Sequence, residues 1–68
     1  GPRDLQHLLG KGGTTLTPLR PAGTALIDGE RYDVVSEGGF LDPHKPIQVI
    51  RVEGTRVVVR EIGHEPQT

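Results

Sequence analysis

Residues 16–39 read LTPLRPAGTALIDGERYDVVSEGG, and the fold is decided there. Two runs of strand-forming residues, 24–27 and 31–36, meet at Asp28-Gly29. A type I′ turn needs positive φ at both central positions. Asp followed by Gly tolerates this best, so Asp28 and Gly29 predict a tight hairpin. Ahead of it, Pro18 and Pro21 bracket Leu19-Arg20, and Gly23 follows. Prolines so close exclude a helix and remove ladder donors, so the chain must leave one strand, turn a corner and begin the next. Behind it, Gly38-Gly39 ends the second run.

Working outward, a first strand is expected over 14–18. In the second, 24–28, the two-residue period sets Ala25 and Ile27 on one face and Thr24, Leu26 and Asp28 on the other. Leu26 is therefore expected as an exposed apolar residue. The third, 31–36, alternates Tyr32, Val34 and Ser36 against Arg31, Asp33 and Val35. Neither face is cleanly apolar, and the register stays open. The connection EGGFLDPHKP (37–46) holds too many glycines and prolines for a helix. A loop is expected there, with Phe40 and Leu41 folded in to plug the barrel end. In the fourth strand, 47–53, Ile47 and Val49 share one parity and Ile50 and Val52 the other. Such a switch predicts a β-bulge near Val49-Ile50. The fifth, 56–62, alternates Val57 and Val59 against Arg56, Val58 and Arg60.

At the start, Leu5, Leu8 and Leu9 have helical spacing, with Asp4 as N-cap, but so short a helix is marginal in water. Residues 1–10 are expected as a leader or linker, 11–62 as the barrel and 63–68 as a flexible tail. Short strands, tight turns and no long helix mean an all-β barrel. Strand order alone does not separate an OB-type barrel from an SH3-like one.

The chain has 68 residues, which is one domain. A domain this small buries about 60% of its unfolded surface, so its core is thin. There is no cysteine, hence no disulfide framework. His7, His44 and His64 lie far apart, so neither a zinc site nor another metal or cofactor is expected. Eight basic and nine acidic residues give a net charge of −1. A polyanion binder shows a positive excess instead. No apolar run approaches the ~20 residues that cross a bilayer.

Ser36 is the only serine. It has no nucleophile elbow and is read as satisfying backbone groups at a strand end. The carboxylates Asp28, Glu30, Asp33 and Glu37 are spread over a hairpin, unlike a calcium loop. Arg20, held between prolines, is expected to pair with Asp33 or Glu30 and staple the corner. Arg51, Arg56 and Arg60 fall on the last hairpin and form a potential basic stripe.

The order L-x-P-L-R-P-x-G (16–23), I-D-G-E-R-Y-D (27–33) and V-S-E-G (35–38) resembles the C-terminal soluble domain of NfeD-like proteins. The likeness spans roughly residues 9–62. It implies a small five-stranded OB-type Greek-key barrel with no substantial helix between strands three and four. It also implies a parent tethered to a membrane by upstream helices, with this module on the cytoplasmic side. The function expected from the likeness is non-catalytic docking onto a stomatin/flotillin-like scaffold protein. The docking surface is expected at Leu26 and Val58, with Arg51, Arg56 and Arg60 around them; Arg20, Asp33, Gly29 and Phe40 are expected to be structural.

Two other readings stand beside it. An OB-fold binder of single-stranded nucleic acid would need a stacking platform, and the only aromatics are Tyr32 and Phe40. Nucleic acid is therefore not the expected partner. Long NfeD-like proteins carry a serine-protease domain upstream, and the module could be an accessory of one.

Overall fold

The computed structural model describes residues 4–63. The strands are β1 (Gly12–Thr15), β2 (Ala22–Ile27), β3 (Glu30–Ser36), β4 (Pro46–Glu53) and β5 (Arg56–Glu61). They close into a barrel in the order β1-β2-β3-β5-β4. β1 runs antiparallel to both β2 and β4, and β3 meets β5 in parallel. This is the all-β barrel that the strands and turns predict, and the five-stranded OB-type form that the resemblance implies.

The β2–β3 hairpin turns as expected, with φ of 52° at Asp28 and 80° at Gly29. The turn also resolves the register that β3 left open. It pairs Ala25 with Tyr32 and Gly23 with Val34, so Tyr32 and Val34 share the inward face of Ala25 and Ile27. Those inward positions are all buried. In β4 the pairing steps from Val49↔Val59 to Arg51↔Val58. Ile50 is the extra residue, which is the bulge its parity switch predicts.

Two glycines are required by close approach. A Cβ on Gly13 would lie 2.4 Å from the Leu26 carbonyl oxygen, and one on Gly23 would lie 2.4 Å from that of Pro18. Gly13 lets β1 curl tightly onto β2. Gly23 lets the proline corner fold back over β2, which carries Leu19 into the core at 0% exposure. The first strand thus lies earlier than expected. By Leu16 and Thr17, whose N–H groups both donate to the Thr24 carbonyl (2.8 and 3.3 Å), the corner has begun.

The ends of the barrel depart from expectation in three places. Phe40 is 74% exposed and plugs nothing. Leu19 closes that end instead, exchanging backbone hydrogen bonds with Leu41 at 2.9 and 3.0 Å, and Leu41 packs half-buried on the core. At the other end, Leu5 and Leu8 flank and fill a single 3-10 turn, Gln6–Leu8. They join the core, Leu8 at 0% exposure. The segment expected as a leader is therefore packed onto the barrel, tied by Gln6 Nε2 donating to the Val52 carbonyl (3.0 Å) and by the Gly10 N–H donating to the Val49 carbonyl (2.9 Å). Lastly, Arg20 forms no ion pair among the described residues, with Asp33 or with Glu30. Glu30 accepts the Tyr32 hydroxyl at 2.9 Å instead. The tail expected from residue 63 lies, beyond Gly63, outside the described residues.

Thr15 fixes the long β3–β4 connection. It is fully buried, and its hydroxyl donates to the Asp42 carbonyl (2.7 Å) and accepts from the Lys45 N–H (2.8 Å). Its backbone takes the His44 N–H at 2.7 Å and donates to the Lys45 carbonyl at 2.9 Å.

Candidate partner-binding surface

β1 lies between β2 and β4, so its outward residues sit in the middle of a broad outer face. Thr14 is opposite Leu26 on one side and Pro46 on the other. The Ile62 N–H then donates to the Pro46 carbonyl at 2.9 Å. Leu26, Thr14, Pro46 and Ile62 therefore form one row, about 14 Å long at the usual strand spacing. All are exposed, Leu26 at 38% and Ile62 at 44%. Their chain neighbours Ala25, Ile27, Thr15 and Ile47 point inward and are fully buried.

No charge interrupts the row, but charges ring it. Arg31 lies across from Leu26. Lys11 pairs with Asp28 at 2.9 Å and Arg60 with Glu37 at 3.1 Å, all with exposed side chains. An apolar strip inside a polar rim is the anatomy of a protein–protein contact, in which charge is depleted at the centre. Exposed ion pairs of this kind are worth about 0–1 kcal/mol each, so they shape the rim more than they stabilise the fold.

Of the residues expected to dock, Leu26 is on this face. Val58 is not available: it is 2% exposed. It faces outward, since Val57 and Val59 on either side of it belong to the core cluster. But it lies between Val35 on β3 and Arg51 on β4, and between Arg56 and Arg60 on its own strand. Long arginine stems cover apolar surface while their charged heads stay in water. The arginines do not form a free basic stripe either. Arg51 pairs with Glu53 at 3.2 Å and Arg60 with Glu37, whereas Arg56 has no ion pair among the described residues. Asp33 is exposed on the outer face of β3, and Ser36 is buried inside the barrel. Sequence reasoning missed Thr14, Pro46 and Ile62 as parts of the surface. Parity along the fifth strand could have turned Ile62 outward, but nothing local brings Thr14 to Pro46.

The model of the NfeD-like C-terminal, partner-binding domain family matches residues 5–61. The chain belongs to that family. The matched span includes Leu5, consistent with its place in the core. Membrane protein NfeD1b of Bacillus subtilis (strain 168) is 64% identical over 55 residues, which is 81% of this chain and 13% of that protein. The chain thus spans a small part of its relative's length. Two solved structures share the NfeD fold. One is the C-terminal domain of stomatin operon partner protein 1510-C from Pyrococcus horikoshii, with a TM-score of 0.81, 22% identity, and coverage of 87% of this chain and 94% of that one. The other is the soluble domain of a membrane protein implicated in regulation of membrane protease activity from Corynebacterium glutamicum, with a TM-score of 0.75, 21% identity, and coverage of 87% and 100%. Among the described residues, no helix is long and apolar enough to cross a membrane.

Proposed function

We propose that this NfeD-like domain is a non-catalytic docking module that binds a stomatin/flotillin-like scaffold protein through the Leu26–Thr14–Pro46–Ile62 row. In the parent protein it would stand beside the membrane on its cytoplasmic side. The observation that carries the reading is the uncharged row itself, four neighbouring positions wide on a domain whose other outer rows carry charge. The family's description as partner-binding supports it, and a fold neighbour described as a stomatin operon partner suggests the class of partner.

The test is an amide chemical-shift titration of the labelled domain with a stomatin-like scaffold domain. Shifts should centre on Leu26, Thr14 and Ile62. Leu26→Asp combined with Ile62→Asp should weaken binding by at least about tenfold, or 1.4 kcal/mol. Both side chains are exposed, so the melting temperature should hold. Undiminished affinity in the double variant would exclude the row as the contact.

A further inference from the structure

The barrel wall is thinly paired along one side of β3. Its parallel pairing with β5 covers only Val35↔Val58 and Ser36↔Val59. Along residues 31–34, β3 has β2 on one side and, among the described residues, no strand on the other. The direction of each peptide group follows from two bonds. The Ser36 N–H donates toward β2, to the Pro21 carbonyl at 2.8 Å, and the Glu37 N–H toward β5, to the Val59 carbonyl at 2.9 Å. Directions alternate along a strand. Arg31 and Asp33 therefore turn both N–H and C=O toward the open side.

That side has room. A cleft of about 430 Å³ reaches from residues 22–24 of β2 across residues 33–35 of β3 to residues 55–57 at the start of β5, with the core residues Val34 and Val57 in its lining. A second, of about 450 Å³, shares Asp33 and Thr55 and continues past Arg31 to Leu5. The mouth carries two cations, Arg31 and Arg56, with no ion pair among the described residues, against the single carboxylate of Asp33.

We infer that this lip is a strand-addition site for an extended segment of a partner protein with alternating acidic and apolar side chains. Backbone groups of Arg31 and Asp33 supply the pairing, as at other open sheet edges that accept peptides. Alternation sends every second side chain inward, toward Val34 and Val57, and the others outward, toward Arg31 and Arg56. Arg31 on the outer face of β3 and Arg56 at the start of β5 attract the outward acidic residues, while Asp33 on the same face as Arg31 opposes the one beside it and limits how tightly the segment is held.

The test uses the labelled domain and capped synthetic peptides: one alternating Glu and Val, one alternating Lys and Val, and the Glu/Val peptide with a central proline. The Glu/Val peptide should shift the Arg31, Asp33, Thr55 and Arg56 amides and slow hydrogen exchange at Arg31 and Asp33. The other two should not. Arg31→Glu with Arg56→Glu should weaken binding by at least about tenfold. Asp33→Pro should abolish it while keeping the fold, because that N–H lies outside the β2 ladder. Ile62→Asp, whose place in the row is at the far end from Arg31, should leave it intact, which separates this site from the apolar row. Unmoved Arg31 and Asp33 amides with every peptide, or equal binding of the Lys/Val peptide, would overturn the proposal.

Discussion

Thr15 shows how much one hydroxyl can fix. It bonds the Asp42 carbonyl and the Lys45 N–H at once, both from the β3–β4 connection. Thr15→Val keeps the shape and leaves two polar groups without a partner. Leaving a buried group unsatisfied costs about 1–3 kcal/mol, and each kcal/mol lowers the melting temperature of a domain this size by about 4–8 °C. Thermal unfolding followed by circular dichroism should show that fall, with Thr15→Ser recovering part of it. The sequence shows a threonine-rich strand but not this role, because the partners are remote along the chain. Phe40 and Val58 teach the same limit from the apolar side. Hydrophobicity places Phe40 inside and two-residue alternation turns Val58 out to solvent, yet Phe40 is 74% exposed and Val58 2%. Phe40 follows two glycines in a loop, whereas Val58 has strands on both sides.

At the scale of elements, the features that read correctly are those with local causes. Asp28-Gly29 fixes its own turn, and the parity switch at Val49-Ile50 marks the bulge within a single strand. β1 was harder to place because its glycines look like loop residues. Their reason is the neighbouring strand. Gly13→Ala would set a methyl group 2.7 Å from Ile27 Cγ1 and closer still to the Leu26 carbonyl. It should destabilise by about 1–3 kcal/mol or more as β1 is pushed off β2. Gly12→Ala is the control, since its nearest neighbour is the Ile47 carbonyl at 3.6 Å. Urea titration should find the midpoint lowered sharply by the first substitution and little changed by the second, with similar slopes. The candidate surface was legible only at Leu26, whose exposure follows from two-residue alternation. Thr14, Pro46 and Ile62 join it through pairings that no local signal announces.

For the whole molecule, barrel closure depends on β5, the only strand that touches both β4 and β3. Without it, the remaining strands can still pair in the order β4-β1-β2-β3, an open sheet with both edges bare. A variant chain that stops at Glu53 should therefore self-associate and lack the dispersed amide spectrum of the closed barrel, as size-exclusion chromatography and NMR would show. The same geometry bears on synthesis. β5 leaves the ribosome after the other four strands, so every growing chain passes through a stage in which β1 to β4 are available and the closing stave is still in the exit tunnel. Closure waits on the final turn at Gly54 and the few residues after it, and a stall at that point would hold the nascent sheet in its stickiest form.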